Sequence, residues 1–167
     1  MFTYCPHCRG KFQQKQKMLL CSDCAFEWYP NPKPANAAIL TNKKNQLLLG
    51  KRKRDPGKDK WDLIGGFIDA LESAEESMQR EAEEEIKTNI NDLRYVGSYY
   101  DFYDYQDKRY NVVILIFSGR VDEERIEAHD DIAEYRFFEW EDIPYGDLAF
   151  ENMKIFLKKY ASGHYEK

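Results

Sequence analysis

The segment 65–85 constrains the fold more than any other part of this chain. Within it, Gly66 is followed after five residues by Glu72, and seven further residues lead to the run from Arg80 to Glu85. Ser73 is a favourable N-cap, an acid follows it three residues later, and strong helix formers come next. The sequence therefore predicts a tight glycine turn that delivers the chain into a carboxylate-rich helix over residues 73–88.

Three carboxylates of this helix, those of Glu81, Glu84 and Glu85, are spaced i, i+3 and i+4, so they share one face. Clustered carboxylates repel one another, and a hard divalent cation such as Mg²⁺ or Mn²⁺ is their natural partner. A solvated, glutamate-rich helix is the alternative explanation of the same pattern. An adjoining apolar stripe, expected to pack on a sheet, consists of Ala74, Met78, Ala82 and Ile86.

The same stretch resembles a known signature. The Nudix hydrolase family has the pattern Gly-x5-Glu-x7-Arg-Glu-U-x-Glu-Glu, with U an apolar residue. The matching residues here are Gly66, Glu72, Arg80, Glu81, Ala82, Glu84 and Glu85. The chain departs from the family at Leu71 and Lys87, where the family has glycine. The resemblance implies an α/β fold, the Nudix α/β/α sandwich with a mixed sheet.

The resemblance also implies an activity. The expected reaction is hydrolysis of a nucleoside diphosphate linked to another group, with ADP-ribose-like compounds as favoured substrates. The implied ligands of Mg²⁺ or Mn²⁺ are the Gly66 carbonyl and the carboxylates of Glu81, Glu84 and Glu85. Glu81 is the first choice for the catalytic base, Arg80 is expected to orient Glu84, and Glu72 is expected to support the loop from behind.

Two other functions remain open at this point. The first is a Nudix domain that binds a nucleotide without cleaving it. The departures at Leu71 and Lys87 favour this function, whereas the intact run from Arg80 to Glu85 argues against it. The second is an NADH or RNA-cap pyrophosphatase. Nudix enzymes that cleave NADH carry a Ser-Gln-Pro-Trp-Pro-Phe-Pro tract after the signature, and this chain has no proline between Pro56 and Pro144.

All four cysteines lie near the N-terminus, as two Cys-x-x-Cys pairs separated by twelve residues: Cys5, Cys8, Cys21 and Cys24. This spacing predicts a tetrahedral zinc site in a small zinc ribbon, residues 1–29. Disulfides are disfavoured because the first residues lack the pattern of a signal peptide, so we expect a reducing, cytoplasmic location. Nucleic-acid binding, dimerisation and structural capping all remain possible roles for the ribbon.

A proline-rich linker is predicted at residues 30–34, and the Nudix domain at residues 35–167. Expected strands of this domain cover 35–41, 46–53, 61–64, 93–105, 111–120 and 135–140, with a helix over 149–161. Arg52, at the end of the second strand, is the candidate substrate-binding residue by family resemblance. Asp131 and Glu134, in an acidic loop, are alternative candidates for the base.

Composition narrows the choice of partners. The formal net charge is −5, one third of the residues are charged, and no apolar run is long enough to cross a membrane. The acidic balance argues against broad nucleic-acid binding. The family resemblance implies a small nucleotide diphosphate as the partner. Family members with this fold often dimerise, and a homodimer is therefore possible.

Overall fold

The computed structural model describes residues 2–165, and the chain divides into two units, Met1–Pro32 and Lys33–Lys167. The first unit is a three-stranded antiparallel sheet in the order β1-β2-β3. Its strands are β1 (Phe12–Gln14), β2 (Leu19–Cys21) and β3 (Glu27–Trp28).

The second unit is built on a six-stranded mixed sheet in the order β6-β5-β4-β8-β7, with β9 on the other edge of β5. Its strands are β4 (Lys33–Thr41), β5 (Leu47–Arg52), β6 (Trp61–Asp62), β7 (Asn91–Tyr105), β8 (Lys108–Arg120) and β9 (Ile132–Phe138). The helices are α1 (Ala74–Ile86) and α2 (Glu151–Ala161). Within residues 2–165, no helix has the length and the hydropathy needed to cross a membrane.

Side-chain alternation along the central strand creates two cores, one on each face of the sheet. Ala38 and Leu40 of β4 belong to the core beneath α1, whereas Ile39 between them belongs to the core beneath α2. The buried α1 side chains are contributed by Met78, Ala82 and Ile86, which confirms the apolar stripe predicted from sequence. A helix therefore covers each face, and the predicted α/β/α sandwich with a mixed sheet is confirmed.

Several element boundaries differ from the sequence-based expectation. Strand β4 begins at Lys33 and includes Pro34, both of which had been assigned to the linker, and they pair with Val112 and Val113 of β8. A proline is tolerated there because it stands at the beginning of the strand. Strand β9 also begins earlier than expected, at Ile132, within the segment that we read as an acidic loop.

The segment from Trp61 to Ile64 is inserted between β4 and β5. Strands β4 and β5 share only the pair Thr41–Leu47, at the start of their hairpin. Beyond it, Trp61 pairs with Lys51 of β5, and Ile64 forms a bridge with Ala38 of β4. The sheet thus opens where the Gly65-Gly66 turn begins, which places the turn between two strands rather than at the rim.

Strand β7 carries two bulges, between Asn91 and Arg94 and between Tyr95 and Gly97. Each adds one residue to β7 relative to β8. After the second bulge, the side chains of Tyr99, Asp101 and Tyr103 share one face of the strand, since they are two residues apart.

Helix α1 begins at a capping box. The Glu76 backbone N–H donates to the Ser73 hydroxyl, and the Ser73 N–H donates to the Glu76 carboxylate, at 3.2 and 2.8 Å. The helix ends at Ile86, and the C-cap residue Lys87 has a left-handed φ of 55° and ψ of 30°. Leu71, in the turn before the helix, has a φ of 73° and a fully exposed side chain. Both positions where the chain lacks a family glycine thus keep a backbone conformation that favours glycine.

Replacing Leu71 by glycine is expected to stabilise the protein by about 1 kcal/mol, because a left-handed residue with a Cβ costs roughly that much and no buried contact is lost. Chemical denaturation would measure the change. Leu71→Ala is the matched control, since it shortens the side chain but keeps the Cβ, and it should leave the free energy of unfolding unchanged. Equal stabilisation by both substitutions would show that the leucine side chain, and not its backbone, is the source of strain.

Candidate active site and cysteine cluster

Two glycines allow β4, the turn and α1 to approach closely. Gly65 has a φ of 150°, and a Cβ on it would lie 2.6 Å from the Cα of Ala37. A Cβ on Gly66 would lie 2.6 Å from the Cδ of Glu81. Buried Asn36 of β4 links the strand to both the glycine turn and α1 by hydrogen bonds. Its backbone N–H donates to the Gly66 carbonyl at 2.8 Å, and its Nδ2 donates to the Ala74 carbonyl at 3.2 Å. The carbonyl predicted as a metal ligand therefore already accepts one hydrogen bond, and its residue packs closely against Glu81.

Arg80 joins the carboxylates of the signature. Its Nη1 donates to Glu81 at 2.9 Å and to Glu84 at 3.0 Å. Its Nη2 and Nε donate to the two oxygens of Glu72 at 2.7 and 3.1 Å. These bonds to Arg80, and then the backbone N–H of Asp69, lower the pKa of Glu72 to about 2. Arg80 thus does more than the predicted pairing with Glu84, since it also holds Glu81 and the loop residue Glu72.

Glu85 is buried, at 8% exposure, although it is a carboxylate. Its Oε2 accepts a hydrogen bond from the Gly65 N–H at 3.1 Å. Burial raises the pKa of Glu85 well above its ordinary value; the Gly65 N–H opposes this rise, and the charges of Glu81 and Asp62 add to it. Burial also raises the pKa of Glu81, with Arg80 opposing. Negative charge at this site is therefore undercompensated by the protein itself.

The structure does not gather Glu81, Glu84 and Glu85 into a tight cluster. Among residues 2–165, the only group of three or more His, Cys, Asp or Glu side chains with ligand atoms within 4.8 Å of one another is formed by the cysteines. Mutual repulsion and separate hydrogen bonds explain the spread, because Arg80 holds Glu81 and Glu84 while Gly65 holds Glu85.

A cavity of about 380 Å³ is lined by Gly65, Arg80 and the three glutamates of the signature, Glu81, Glu84 and Glu85. Eight carboxylates contribute to its wall, belonging to Asp62, Asp69, Glu81, Glu84, Glu85, Asp101, Asp130 and Asp131. The arginines of the wall are Arg52, Arg54 and Arg80, and each is paired with at least one carboxylate. The cavity therefore repels anions unless cations are added.

Arg52 lies in this cavity wall, at the end of β5. Its Nη1 donates to Asp62 at 2.7 Å and its Nε to the Pro56 carbonyl at 2.7 Å. Its guanidinium carbon also lies 5.2 Å from the centre of the Phe150 ring. The predicted substrate-binding arginine is thus held in a fixed orientation by the protein, with Asp62 as its main partner.

The two candidate bases outside the helix occupy different places. Asp131 lines the cavity, and its Oδ1 lies 3.1 Å from Arg54. The preceding loop is tied to the end of α1, because the His129 N–H donates to the Glu85 carbonyl at 2.8 Å. Glu134 pairs with Lys51 at 3.1 Å and is not part of the cavity wall.

Several cavity residues escaped the sequence analysis. Asp62 and Asp101 are acids of the wall, and Phe150 closes it at the start of α2. Of the tyrosines of β7, Tyr99 and Tyr103 line the cavity, and Phe102 of the same strand lines it as well. The available signal was the polar Asp62 immediately before the glycine turn; for the others, only the register of β7 decides which side chains face inward.

The four cysteines form the second candidate site. All are free thiols whose Sγ atoms lie within 4.8 Å of one another, with 3.8 Å between Cys5 and Cys24 and 3.4 Å between Cys8 and Cys21. A tetrahedral ion with Zn–S bonds of about 2.3 Å needs sulfurs about 3.8 Å apart. Arg9 and Ala25, each four residues after the first cysteine of its pair, both have positive φ and donate backbone N–H bonds to Cys5 and Cys21. The donor set and its spacing fit zinc.

Comparison with known proteins gives one family. The family model described as NUDIX domain matches residues 31–159. An ADP-ribose pyrophosphatase of Methanocaldococcus jannaschii is 34% identical over 137 residues, which cover 81% of this chain and 76% of that protein. The NAD-capped RNA hydrolase NudC of Vibrio parahaemolyticus is 31% identical over 97 residues, covering 57% of this chain but only 36% of the relative.

A solved structure shares the fold. The crystal structure of a NUDIX hydrolase from Nitrosomonas europaea superposes with a TM-score of 0.71, covering 97% of this chain and 94% of that one. The sequences are 23% identical, so this likeness bears on the fold alone.

Proposed function

This chain belongs to the Nudix hydrolase family, and we propose that it hydrolyses a nucleoside diphosphate linked to a second group, with ADP-ribose-like compounds as substrates. The M. jannaschii relative, named an ADP-ribose pyrophosphatase, supports this substrate class because the match covers about four fifths of this chain. Five of the signature residues line one cavity, namely Gly66, Arg80, Glu81, Glu84 and Glu85.

The charge of the cavity is the observation that carries the proposal. Eight carboxylates face three arginines that are already paired, and the buried Glu85 is repelled by Glu81 and Asp62. A diphosphate cannot approach such a wall by itself, whereas the same wall suits a diphosphate that arrives with divalent cations.

The residues present fit a hard divalent ion. Glu85 is buried with one hydrogen-bond donor, and the Gly66 carbonyl accepts one hydrogen bond and keeps a lone pair to spare. We assign the ligands of Mg²⁺ or Mn²⁺ to Gly66, Glu81, Glu84 and Glu85. Bound there, divalent ions would supply charge neutralisation for the diphosphate and a lowered pKa for the attacking water.

The remaining roles belong to the chain. Glu81 is the proposed base, since burial raises its pKa toward the range useful for accepting a proton near neutrality. Asp131 is the alternative base, since it lines the same cavity. Arg80 and Glu72 position the carboxylates of α1, and Arg52 is the residue that contacts the substrate.

Arg80→Lys is expected to lower kcat about 100-fold and to leave KM nearly unchanged. Lysine keeps the charge but cannot hold Glu72, Glu81 and Glu84 together, and a misplacement of about 1 Å in a site of this kind costs roughly that factor. Steady-state kinetics with Mg²⁺ would measure both constants. Arg125→Lys is the matched control, because Arg125 is exposed, pairs with Asp122 and is not part of the cavity wall. A rise in KM with kcat retained would instead place Arg80 in substrate binding.

A substrate panel tests the proposal itself. ADP-ribose, NADH, dinucleoside polyphosphates and nucleoside triphosphates would be offered with Mg²⁺ and then Mn²⁺, with release of phosphate esters as the readout. The expected result is fastest turnover of ADP-ribose. Ligands that raise Tm without any turnover would favour a nucleotide-binding protein that does not cleave.

An NAD-cap or NADH pyrophosphatase is the second candidate. The NudC match favours it, although this chain spans about a third of that relative's length. The proline-rich tract typical of NADH-cleaving relatives is missing from the sequence between Pro56 and Pro144. Preference for NADH or NAD-capped RNA over ADP-ribose in the same panel would establish this alternative.

We assign structural zinc to Cys5, Cys8, Cys21 and Cys24, within a ribbon of residues 1–29. The predicted linker is thereby shortened to the residues before β4, which begins at Lys33. We place the protein in the cytoplasm, because four free cysteines suit a reducing compartment. A small nucleotide is the proposed partner, and a homodimer is a further possibility from the family.

A further inference from the structure

Arg94 and Arg120 differ from the other arginines of the unit Lys33–Lys167. Five of those others pair with carboxylates: Arg52, Arg54, Arg80, Arg109 and Arg125. Arg136 lies over the aromatic rings of Trp61 and Phe138. Among the described residues, Arg94 and Arg120 have no salt bridge, side-chain hydrogen bond or ring contact, although acidic residues outnumber basic ones by 28 to 21 in this unit. The positive charges of Arg94 and Arg120 are therefore not neutralised by any carboxylate among the described residues of this unit.

The two arginines lie on the same face of neighbouring strands. Arg94 of β7 pairs with Ser118 of β8, and Arg120 follows Ser118 by two residues. Directly paired residues share a face, as do residues two apart along a strand, so Arg94 and Arg120 are diagonal neighbours at about 7–8 Å. Like charges at that separation repel each other, and an anion between them removes the repulsion.

A cavity of about 470 Å³ opens over this pair. Besides the arginines, Thr41 and Ser118 contribute hydroxyl groups to its wall. Trp140 forms an aromatic side of the cavity: it stacks on Tyr160 with 5.7 Å between ring centres, and its Nε1 donates to the Asn45 carbonyl at 3.0 Å. The exposed carboxylate of Asp92 is the acid of the wall.

This cavity is separate from the candidate active site. No residue contributes to both walls. Along β8, Ile114 lines the active-site cavity and Arg120 follows six residues later, about 20 Å further at ~3.3 Å per residue. Binding here would therefore not compete directly for the metal-ligand carboxylates.

We propose that Arg94 and Arg120 bind the phosphate of a small phosphate monoester, such as a phosphorylated sugar or nucleoside. A phosphate monoester approaches a dianion near neutral pH, which matches two guanidinium groups, and the hydroxyls of Thr41 and Ser118 can donate further hydrogen bonds to it. The cavity leaves room for an organic part against Trp140, and Asp92 can accept a hydrogen bond from a sugar hydroxyl.

Isothermal titration calorimetry of the full chain with ribose 5-phosphate, and separately with AMP, tests the proposal. The titrations are run without added divalent ions, so that the acidic active-site cavity does not attract phosphate. We expect saturable binding that weakens with salt, about tenfold weaker for each arginine lost and about 100-fold weaker for the Arg94→Gln, Arg120→Gln double variant. Arg109→Gln, which removes an exposed arginine from the same hairpin, should bind within about twofold of the unmodified chain.

Three outcomes would overturn the proposal: no saturable binding of either compound, unchanged binding by the double variant, or loss of binding in Arg52→Gln instead. A short single-stranded RNA that bound through Arg94 and Arg120 far more tightly than AMP would also overturn it and assign the surface to nucleic acid. The same double variant should keep its hydrolase activity, because neither arginine lies in the active-site wall. Activity and phosphate binding therefore test the two proposals separately.

Discussion

Glu85→Gln is expected to lower metal-dependent hydrolysis about 10³-fold, roughly 4 kcal/mol of transition-state stabilisation, and at the same time to stabilise the fold. Activity falls because the amide loses one proposed ligand charge at the centre of the cavity. Stability rises because the buried Glu85 carboxylate is repelled by Glu81 and Asp62 and has one N–H donor, from Gly65. Steady-state kinetics with Mg²⁺, and thermal unfolding without it, would measure the two effects.

The stability gain should depend on pH in a defined direction. The folded state raises the pKa of Glu85 above its unfolded value, so the protonated side chain is tolerated and the ionised one is not. The unmodified chain therefore loses stability as pH rises through the folded pKa, a loss that Glu85→Gln does not suffer. The gap in Tm between the two proteins is expected to widen from acidic to alkaline pH.

Glu83→Gln is the matched control for this experiment. Glu83 lies on the same helix but is exposed and outside the cavity wall. Both its turnover and its Tm should stay close to those of the unmodified chain. Equal losses of activity in the two variants would refute the ligand assignment, since they would trace the effect to the helix's overall charge.

Cys21→Ser is expected to remove bound zinc and to unfold the unit Met1–Pro32. This unit has three strands of two or three residues each, so burial alone cannot stabilise it. Structural zinc contributes about 10–16 kcal/mol in small domains of this kind, and losing one of four thiolates forfeits much of it. Elemental analysis should show about one zinc per chain before the substitution and almost none after it, with new proteolytic cleavage confined to residues 2–32.

The neighbouring substitution Ser22→Ala provides the comparison. It removes one exposed hydrogen bond, from the Ser22 hydroxyl to the Lys11 carbonyl, and should retain zinc. The second unit should unfold at its usual temperature in both variants, because it has two hydrophobic cores of its own. A Cys21→Ser protein with an intact, protease-resistant ribbon would refute zinc-dependent folding.

Local patterns predicted the features that are determined locally. Fixed spacing placed Glu81, Glu84 and Glu85 on one helix, and capping chemistry located its start at Ser73. The cysteine spacing predicted four thiols that converge. The α/β/α sandwich followed from the family resemblance and is confirmed by the two cores.

Contacts between distant segments escaped prediction. Asn36 looks like a lone polar residue in an apolar strand, and only the fold shows that it fastens both the glycine turn and α1. Asp62 becomes the partner of Arg52 because the sheet opens between β4 and β5. The multiple bonding of Arg80 was underestimated, since i,i+4 spacing reveals Glu84 but not Glu72.

The two bulges of β7 have an evolutionary consequence. Each inserts one residue, and the parity of these insertions decides that Tyr99, Asp101 and Tyr103 share one face of β7 and that Tyr100 and Phe102 share the other; the first three residues, together with Phe102, line the cavity. Losing a single residue at either bulge would exchange the two sets without altering any codon in the cavity wall. Short insertions and deletions in this edge strand can therefore change the ligand preference of related proteins. The signature helix α1 need not change at the same time.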